Sequence, residues 1–184
     1  MANFYVIPRL ARKLLLLIKE ERHAGRLLQP QFNIGQIFTS LLGGLLAIAA
    51  LGELTHITTD NLIAAPLGAS SVLLFGNPIS PLAQPRNIIA GNTIAALVSV
   101  CCITLFGSTP IVMGLAVGLT ISLGQWLRCL HPPAGAVALL GVLIKAKISF
   151  VLFPVLSGSL LLVLMAAIFS RLAPAQPKYP RHWL

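Results

Sequence analysis

Acid is nearly missing from this chain. Only four of its 184 residues are Asp or Glu, charged residues of both signs make up 9%, and aromatic residues 7%. Soluble domains carry charge on about a quarter of their residues, so a chain this poor in charge is excluded from water as its main solvent. The scarcity also bears on catalysis. The apolar region offers only Glu53 and Asp60 as carboxylates, and no metal-ligand cluster or nucleophile–base spacing accompanies them. No catalytic residue, metal ligand or cofactor is therefore assigned, and an enzyme is not expected. A phosphate-cradling P-loop is missing too, which argues against transport driven by nucleotide hydrolysis. The three cysteines, Cys101, Cys102 and Cys129, lie in or beside apolar stretches without paired spacing, so they read as packing rather than as a disulfide framework or zinc site.

What is abundant is apolar surface and positive charge. Hydrophobic residues make up 57% of the chain and the formal net charge is +9, with a mean hydropathy of +0.90. The basic residues form no patch beside stacking aromatics, so a nucleic-acid partner is not indicated. Six of the thirteen precede Leu27, and Arg171, Lys178 and Arg181 lie near the other end. Basic ends around an apolar middle place both termini in the cytoplasm. The first long apolar stretch begins near Ile34 after a long basic approach, unlike a cleavable signal peptide.

Three regions follow. Residues 1–30 mix Leu14 to Ile18 with Arg9, Arg12, Lys13, Lys19, Arg22 and Arg26, a pattern predicting an amphipathic helix over Phe4 to Leu28 that lies on anionic lipid. Residues 31–172 form the transmembrane region, and residues 173–184 a basic tail. Four segments are long enough to span a hydrocarbon core of roughly 30 Å: Ile34 to Leu54, Asn87 to Phe106, Pro110 to Leu127 and Ile148 to Leu172. Two shorter apolar segments, Asn61 to Phe75 and Cys129 to Ile144, carry prolines near their starts and glycines inside.

The short segments resemble each other. Pro66, Gly68, Ala69 and Leu73 match Pro133, Gly135, Ala136 and Leu140 at one offset, which also carries Gly91 onto Gly158. The fold expected is an all-α polytopic membrane protein with two repeats of long helix, broken half-helix and long helix, over about 34–106 and 110–172. Charge placement arbitrates its topology. Six crossings in inverted repeats put Arg86 and Arg128 inside and leave Lys145 and Lys147 outside, whereas four spans plus two re-entrant segments leave all four outside; the positive-inside tendency favours six. An extended lead-in at about 3.3 Å per residue lets so short a helix complete a crossing. Asn61 to Ala65 would be extended, and so would His131 and Pro132, each preceding a proline. Pro66 and Pro133 suit the first helical position.

Such a half-helix points unpaired amide N–H groups and a positive dipole end at whatever lies before it. In an inverted repeat, donors from Leu67, Gly68 and Ala69 would face those from Ala134, Gly135 and Ala136, a setting for a small anion. Ser70 and Ser71 could add hydroxyls. His131 is the ionisable side chain in the second lead-in, and inside a membrane such a group is a candidate for binding, proton coupling or gating. Arg86 and Arg128 would gather anions at the cytoplasmic mouth or simply mark topology. The polar residues Asn92, Thr93, Thr120, Gln125 and Ser159 either line the path or link helices. Gly43 and Gly44 suit a homo-oligomeric helix interface without fixing the copy number.

His131, Pro132, Pro133, Ala134 and Gly135 reproduce the motif that names the HPP family. Pro66 to Gly76, reading PLGASSVLLFG, with Ser80 to Asn87, reading SPLAQPRN, resemble its other signature block. The resemblance covers roughly residues 30–172 and looks like the short, membrane-only form without a CBS-type regulatory domain. It implies an integral membrane protein, usually drawn with four spans, and associates the chain with the nitrite transport and nitrogen assimilation of cyanobacterial and plastid members. It thereby implies a bacterial, cyanobacterial-like plasma membrane. The function expected is secondary transport of a small inorganic anion, nitrite by resemblance, with proton coupling as an extension. The alternatives are a channel or facilitator for another small solute and, more remotely, a membrane-embedded enzyme or a structural subunit.

Overall fold

The computed structural model describes residues 6–56, 64–173 and 175–183. Among them secondary structure is helical throughout: α1 (Val6–Leu28), α2 (Ile34–His56), α3 (Ala64–Gly76), a 3-10 turn (Pro81–Ala83), α4 (Pro85–Phe106), α5 (Pro110–Trp126), α6 (Ala134–Leu143), a wider π-type turn (Val151–Leu156) and α7 (Ser157–Leu172). Two compact units are formed, residues 1–33 and 34–184. In the first, α1 leaves Leu14 to Ile18 exposed.

In the second unit Ile34–Glu53, Pro85–Phe106 and Val151–Leu172 are long and apolar enough to cross a membrane, while Ala65–Gly76, Pro110–Trp126 and Ala134–Leu143 are shorter apolar helices. The expected span from Pro110 is thus a helix of 17 residues, about 25 Å at about 1.5 Å per residue. The span expected from Ile148 starts at Val151 and is interrupted: Phe153 is extended (φ −131°, ψ 118°) ahead of Pro154, whose missing N–H breaks the ladder before α7. Elsewhere prolines open helices: Pro85 and Pro110 sit in the first turns of α4 and α5, where no N–H is needed.

Close approaches at small residues give the course of the helices. Gly43 of α2 lies against Phe75 of α3 and Phe169 of α7, and Gly158 of α7 lies against Leu51 of α2 and Leu67 of α3. Residue numbers rise along α2 as they fall along α3 and α7, so α2 runs opposite to both. Gly91 of α4 meets His131, and Gly141 of α6 meets Ser99 of α4, so α4 and α6 run the same way. The Ser108 hydroxyl, in the α4–α5 turn, donates to the Val142 carbonyl (2.9 Å). The segment from Arg128 to Val142 thus travels from one end of α4 to the other. The Arg86 guanidinium donates to the Leu127 carbonyl (2.8 Å), joining the start of α4 to the end of α5.

The core mixes small and large side chains: Ala47, Ala95, Ala96, Ala116 and Ala138 are fully buried beside Leu51, Ile88 and Leu162, whereas Leu41, Leu45, Val72, Leu105, Ile111, Leu152 and Leu164 face outward. Lipid tails give no hydrophobic drive to helix association, so close packing over small residues holds such a bundle together. Gly43 serves this internal packing, while Gly44 faces open space. Cys102 and Cys129 are buried, but Cys101 is exposed on α4.

A side chain at Gly91 would meet the His131 Cβ at 2.8 Å and the Cys129 carbonyl oxygen at 2.9 Å, whereas one at Gly118 has nothing within 4 Å. Backbone cannot yield as a side-chain tip does. Gly91→Ala is therefore expected to cost about 1–3 kcal/mol, seen as a lower thermal unfolding midpoint in detergent, with Gly118→Ala unchanged or slightly raised.

Candidate functional site

The two short helices start differently from the sequence expectation. α3 begins at Ala64, so Ala64 and Ala65 are helical rather than extended and Pro66 is the third residue, not the first; Asn61 to Ile63 of the lead-in lie outside the described residues. Gly68 and Ala69 therefore follow the first turn, where helical geometry commits their amide N–H groups to the carbonyls four residues back, those of Ala64 and Ala65. Before α6, Pro132 and Pro133 form a turn and Pro133 is the residue capping the helix, in right-handed helical geometry, rather than its first member. Within that turn the N–H groups of Ala134, Gly135 and Ala136 donate to the carbonyls of His131 (2.9 Å), Pro132 (3.2 Å) and Pro133 (3.0 Å). The donors expected to be unpaired are thus paired locally, because a turn of two prolines offers carbonyls but no competing N–H.

The same turn delivers His131 to α3. His131 is 2% exposed and Ser70 0%, and the Ser70 hydroxyl lies 2.8 Å from the imidazole Nε2. The other ring nitrogen, Nδ1, lies 3.0 Å from the Leu82 carbonyl. A carbonyl can only accept, so Nδ1 carries the proton of the neutral ring, Nε2 accepts, and the Ser70 hydroxyl donates. The contact joins the start of the second short segment to the second turn of the first, side by side rather than tip to tip. It lies beside Gly91, six residues into α4, or about 9 Å from its start at about 1.5 Å per residue.

Neighbouring polar groups hold this loop. The Asn87 amide donates to the Leu130 carbonyl (2.7 Å), and the Arg86 bond to Leu127 closes the last turn of α5. Arg128 takes a left-handed conformation (φ 54°), and Cys129 N–H bonds back to the Gly124 carbonyl (2.8 Å), a Schellman-type stop. The mouth arginines are thus exposed at one end of the bundle and also engaged in ending α5. Gly91 leaves room for the loop backbone, and Gly124 faces Leu130 at 3.3 Å.

Beside His131 lies a cavity of about 350 Å³, lined almost wholly by apolar groups, among them Ile94, Val117 and Ile121, with Gly135 of α6 and the Thr120 hydroxyl. That hydroxyl is already donated to the Ala116 carbonyl. A second hollow of about 580 Å³ between α2 and α3 is lined by Gly44, Gly68 and Ser71 among others. Asn92 and Ser159 link α4 to α7 (3.1 Å), and the buried Asn92 Oδ1 has no partner. Thr93 bonds its own helix at Ile89; Gln125 is exposed. Among the described residues no group of three His, Cys, Asp or Glu side chains converges.

Three participants were missed in the sequence: Leu82, whose carbonyl orients the imidazole; Gln84, fully buried under that turn; and Tyr179, whose hydroxyl donates to the Ala83 carbonyl (3.0 Å). The first two lie in the SPLAQPRN block, which marked the place but not the role. For Tyr179 no local pattern announced a tertiary contact.

The family model for the HPP transmembrane region matches residues 29–180. Two curated transmembrane proteins of Dictyostelium discoideum are each 33% identical over 160 residues, covering 82% of this chain and 56% and 51% of theirs. The chain spans about half the length of these relatives, and their names say no more than that they are transmembrane proteins. No solved structure matches it. The matched region takes in α2 to α7, both proline-led short segments and the Ser70–His131 contact, and the chain belongs to the HPP family of membrane proteins.

Proposed function

We propose that the protein is a secondary transporter of a small inorganic anion, with nitrite as foremost substrate, and that the substrate passes beside the Ser70–His131 contact. The observation that carries this reading is a buried hydroxyl–imidazole hydrogen bond that joins the first short helix to the lead-in of the second, next to a cavity. Ionisable groups are costly inside a membrane and mark pathways and proton relays there.

The sign of the substrate follows from charge. No Asp or Glu follows Asp60, and neither α3 nor α6 has an acidic residue in its first turn to offset the positive end of its dipole. A cation would find no carboxylate between α3 and the C-terminus, whereas an anion finds the basic mouth at Arg86 and Arg128 and, at the start of α6, a positive dipole end whose N–H groups are already bonded within the turn. Proton coupling would act through His131: an imidazolium has two N–H donors and no acceptor, so Ser70 would have to turn from donor to acceptor. The almost wholly apolar cavity lining favours the second reading, a facilitator for a small neutral solute.

Six crossings in two inverted repeats fit the contacts best. The helices α2 to α7 alternate in direction. The offset that carries Gly91 onto Gly158 also carries Asn92 onto Ser159, and these two are bonded to each other, as residues beside a two-fold axis would be. Arg86, Arg128, Arg171, Lys178 and Arg181 then fall on the cytoplasmic side, with both termini, and Lys145 and Lys147 on the other. In this arrangement α1 lies on anionic lipid, and assembly of several copies stays compatible with the outward face of α2 around Gly44.

The test is nitrite uptake into proteoliposomes containing only this protein, with and without a pH gradient, corrected for leakage through protein-free vesicles. Protein-dependent, gradient-driven uptake is expected; uptake indifferent to the gradient would favour the facilitator, and none would discard nitrite. Ser70→Ala and His131→Gln should each slow uptake about tenfold, the consequence of leaving one buried partner unpaired at about 1.4 kcal/mol, with membrane insertion intact. Wild-type rates in both would remove the contact from the pathway. Gly135→Leu, filling the cavity from α6, should abolish uptake.

A further inference from the structure

The basic C-terminal segment is folded back onto the bundle. Gln176 donates to the hydroxyls of Thr39 (3.1 Å) and Ser40 (3.0 Å) at the start of α2. Ser170 donates to the Tyr179 carbonyl (3.0 Å) and accepts from its N–H (3.2 Å). Tyr179 is 3% exposed, and burial pushes its phenol above the ordinary pKa, so the hydroxyl keeps the proton it gives to the Ala83 carbonyl. Arg181 N–H donates to Gln84 Oε1 (2.8 Å), and the Gln84 amide donates to the carbonyls of Pro78 (3.1 Å) and Ser80 (2.8 Å).

These ties converge on three consecutive residues. Leu82 faces His131, while Ala83 and Gln84 are bonded to the strap formed by residues 175–183. Within the turn Ala83 N–H and the Gln84 amide both donate to the Ser80 carbonyl (3.0 and 2.8 Å), whereas the bonds on either side of them are long: Gln84 N–H reaches the Pro81 carbonyl at 3.4 Å and Leu82 N–H the Ser80 hydroxyl at 3.3 Å, both beyond the usual 2.7–3.2 Å for such bonds. The strap's ties act on Ala83 and Gln84, the two residues after Leu82, and so add to the turn's own bonds in setting where the Leu82 carbonyl sits. That carbonyl in turn decides which ring nitrogen of His131 bears the proton, and so which way round the bond to Ser70 runs.

We infer that the C-terminal strap fixes the Pro81–Ala83 turn so that the Leu82 carbonyl selects a single tautomer of His131, with Tyr179 the positioning residue that ties strap to turn. The coupling to the imidazole stands on geometry alone; its bearing on flux rests on the transport reading above. Without the strap the turn shifts, Nδ1–H loses its acceptor, and Ser70 and His131 can pair in either sense.

The experiment is nitrogen NMR of the full chain in liposomes, labelled at histidine, with His131 assigned by comparison with His131→Gln. Wild type should show one neutral ring protonated at Nδ1. Tyr179→Phe, which removes only a hydroxyl, should show both tautomers; a spectrum identical to wild type would overturn the inference. Gln176→Leu loosens the strap but keeps the Tyr179 hydroxyl, so it should retain the single tautomer, and mixing as complete as in Tyr179→Phe would overturn the role given to Tyr179. Should Tyr179→Phe fail to insert, Ser170→Ala, which frees the Tyr179 backbone, should give partial mixing, and no mixing there would overturn the inference. Mixed tautomers with normal nitrite uptake would keep the inference and sink the reading of His131 in transport; lost uptake with a single tautomer would overturn the inference.

Discussion

Hydrocarbon offers no water to a backbone N–H or carbonyl, so every interruption of a helix within a membrane protein has to be closed by protein atoms. The structure around α3 and α6 follows from that constraint. The turn before α6 uses two prolines, removing two N–H groups outright, and turns the next three back onto its own carbonyls. Arg86 covers a carbonyl at the end of α5, and Arg128 and Lys145 take left-handed conformations (φ 54° each) that end α5 and α6 with backbone bonds. His131 and Tyr179 cover the carbonyls of Leu82 and Ala83. Bonds that would otherwise run along a helix here run between elements, and they tie the breaks to one another.

Small residues make this closure feasible. Gly91 admits the Cys129–His131 backbone against α4, Gly141 admits Ser99, and Gly158 admits Leu67 and Leu51. A bundle packed through such notches tolerates little change at them and considerable change on its outward-facing leucines, which no residue of the bundle covers. It also keeps one polar contact, Ser70 with His131, away from solvent and beside an open volume.

Much of this was legible in the residues. Long apolar runs at 34–54 and 87–106 gave helices because nothing in them interrupts the ladder. The run from 148 contained Pro154, and its break followed from the lost N–H, although the length of the run concealed it. Prolines identified the short helices but misplaced their starts by one or two residues, since Pro66 is as comfortable third as first. At Ala134 to Ala136 the structure differs from the expectation of unpaired donors for a local reason: their N–H groups bond the carbonyls of the preceding turn. His131 stood out as a charge-capable group in an apolar setting, but its partner could not be read, because Ser70 lies sixty-one residues away. The strap was invisible for the same reason: its basic residues announced only a basic tail, while Gln176 and Tyr179 act through contacts that only the folded chain brings about.

The central claim is that each short helix completes a crossing, so that the bundle passes the membrane in strictly alternating directions. Single cysteines placed at the exposed positions Ile79 and Lys147, in a background without Cys101, Cys102 and Cys129, test it with a membrane-impermeant thiol reagent. Labelling of position 79 only from the cytoplasmic side and of position 147 only from the opposite side is the predicted result; labelling of both from one side would contradict the account.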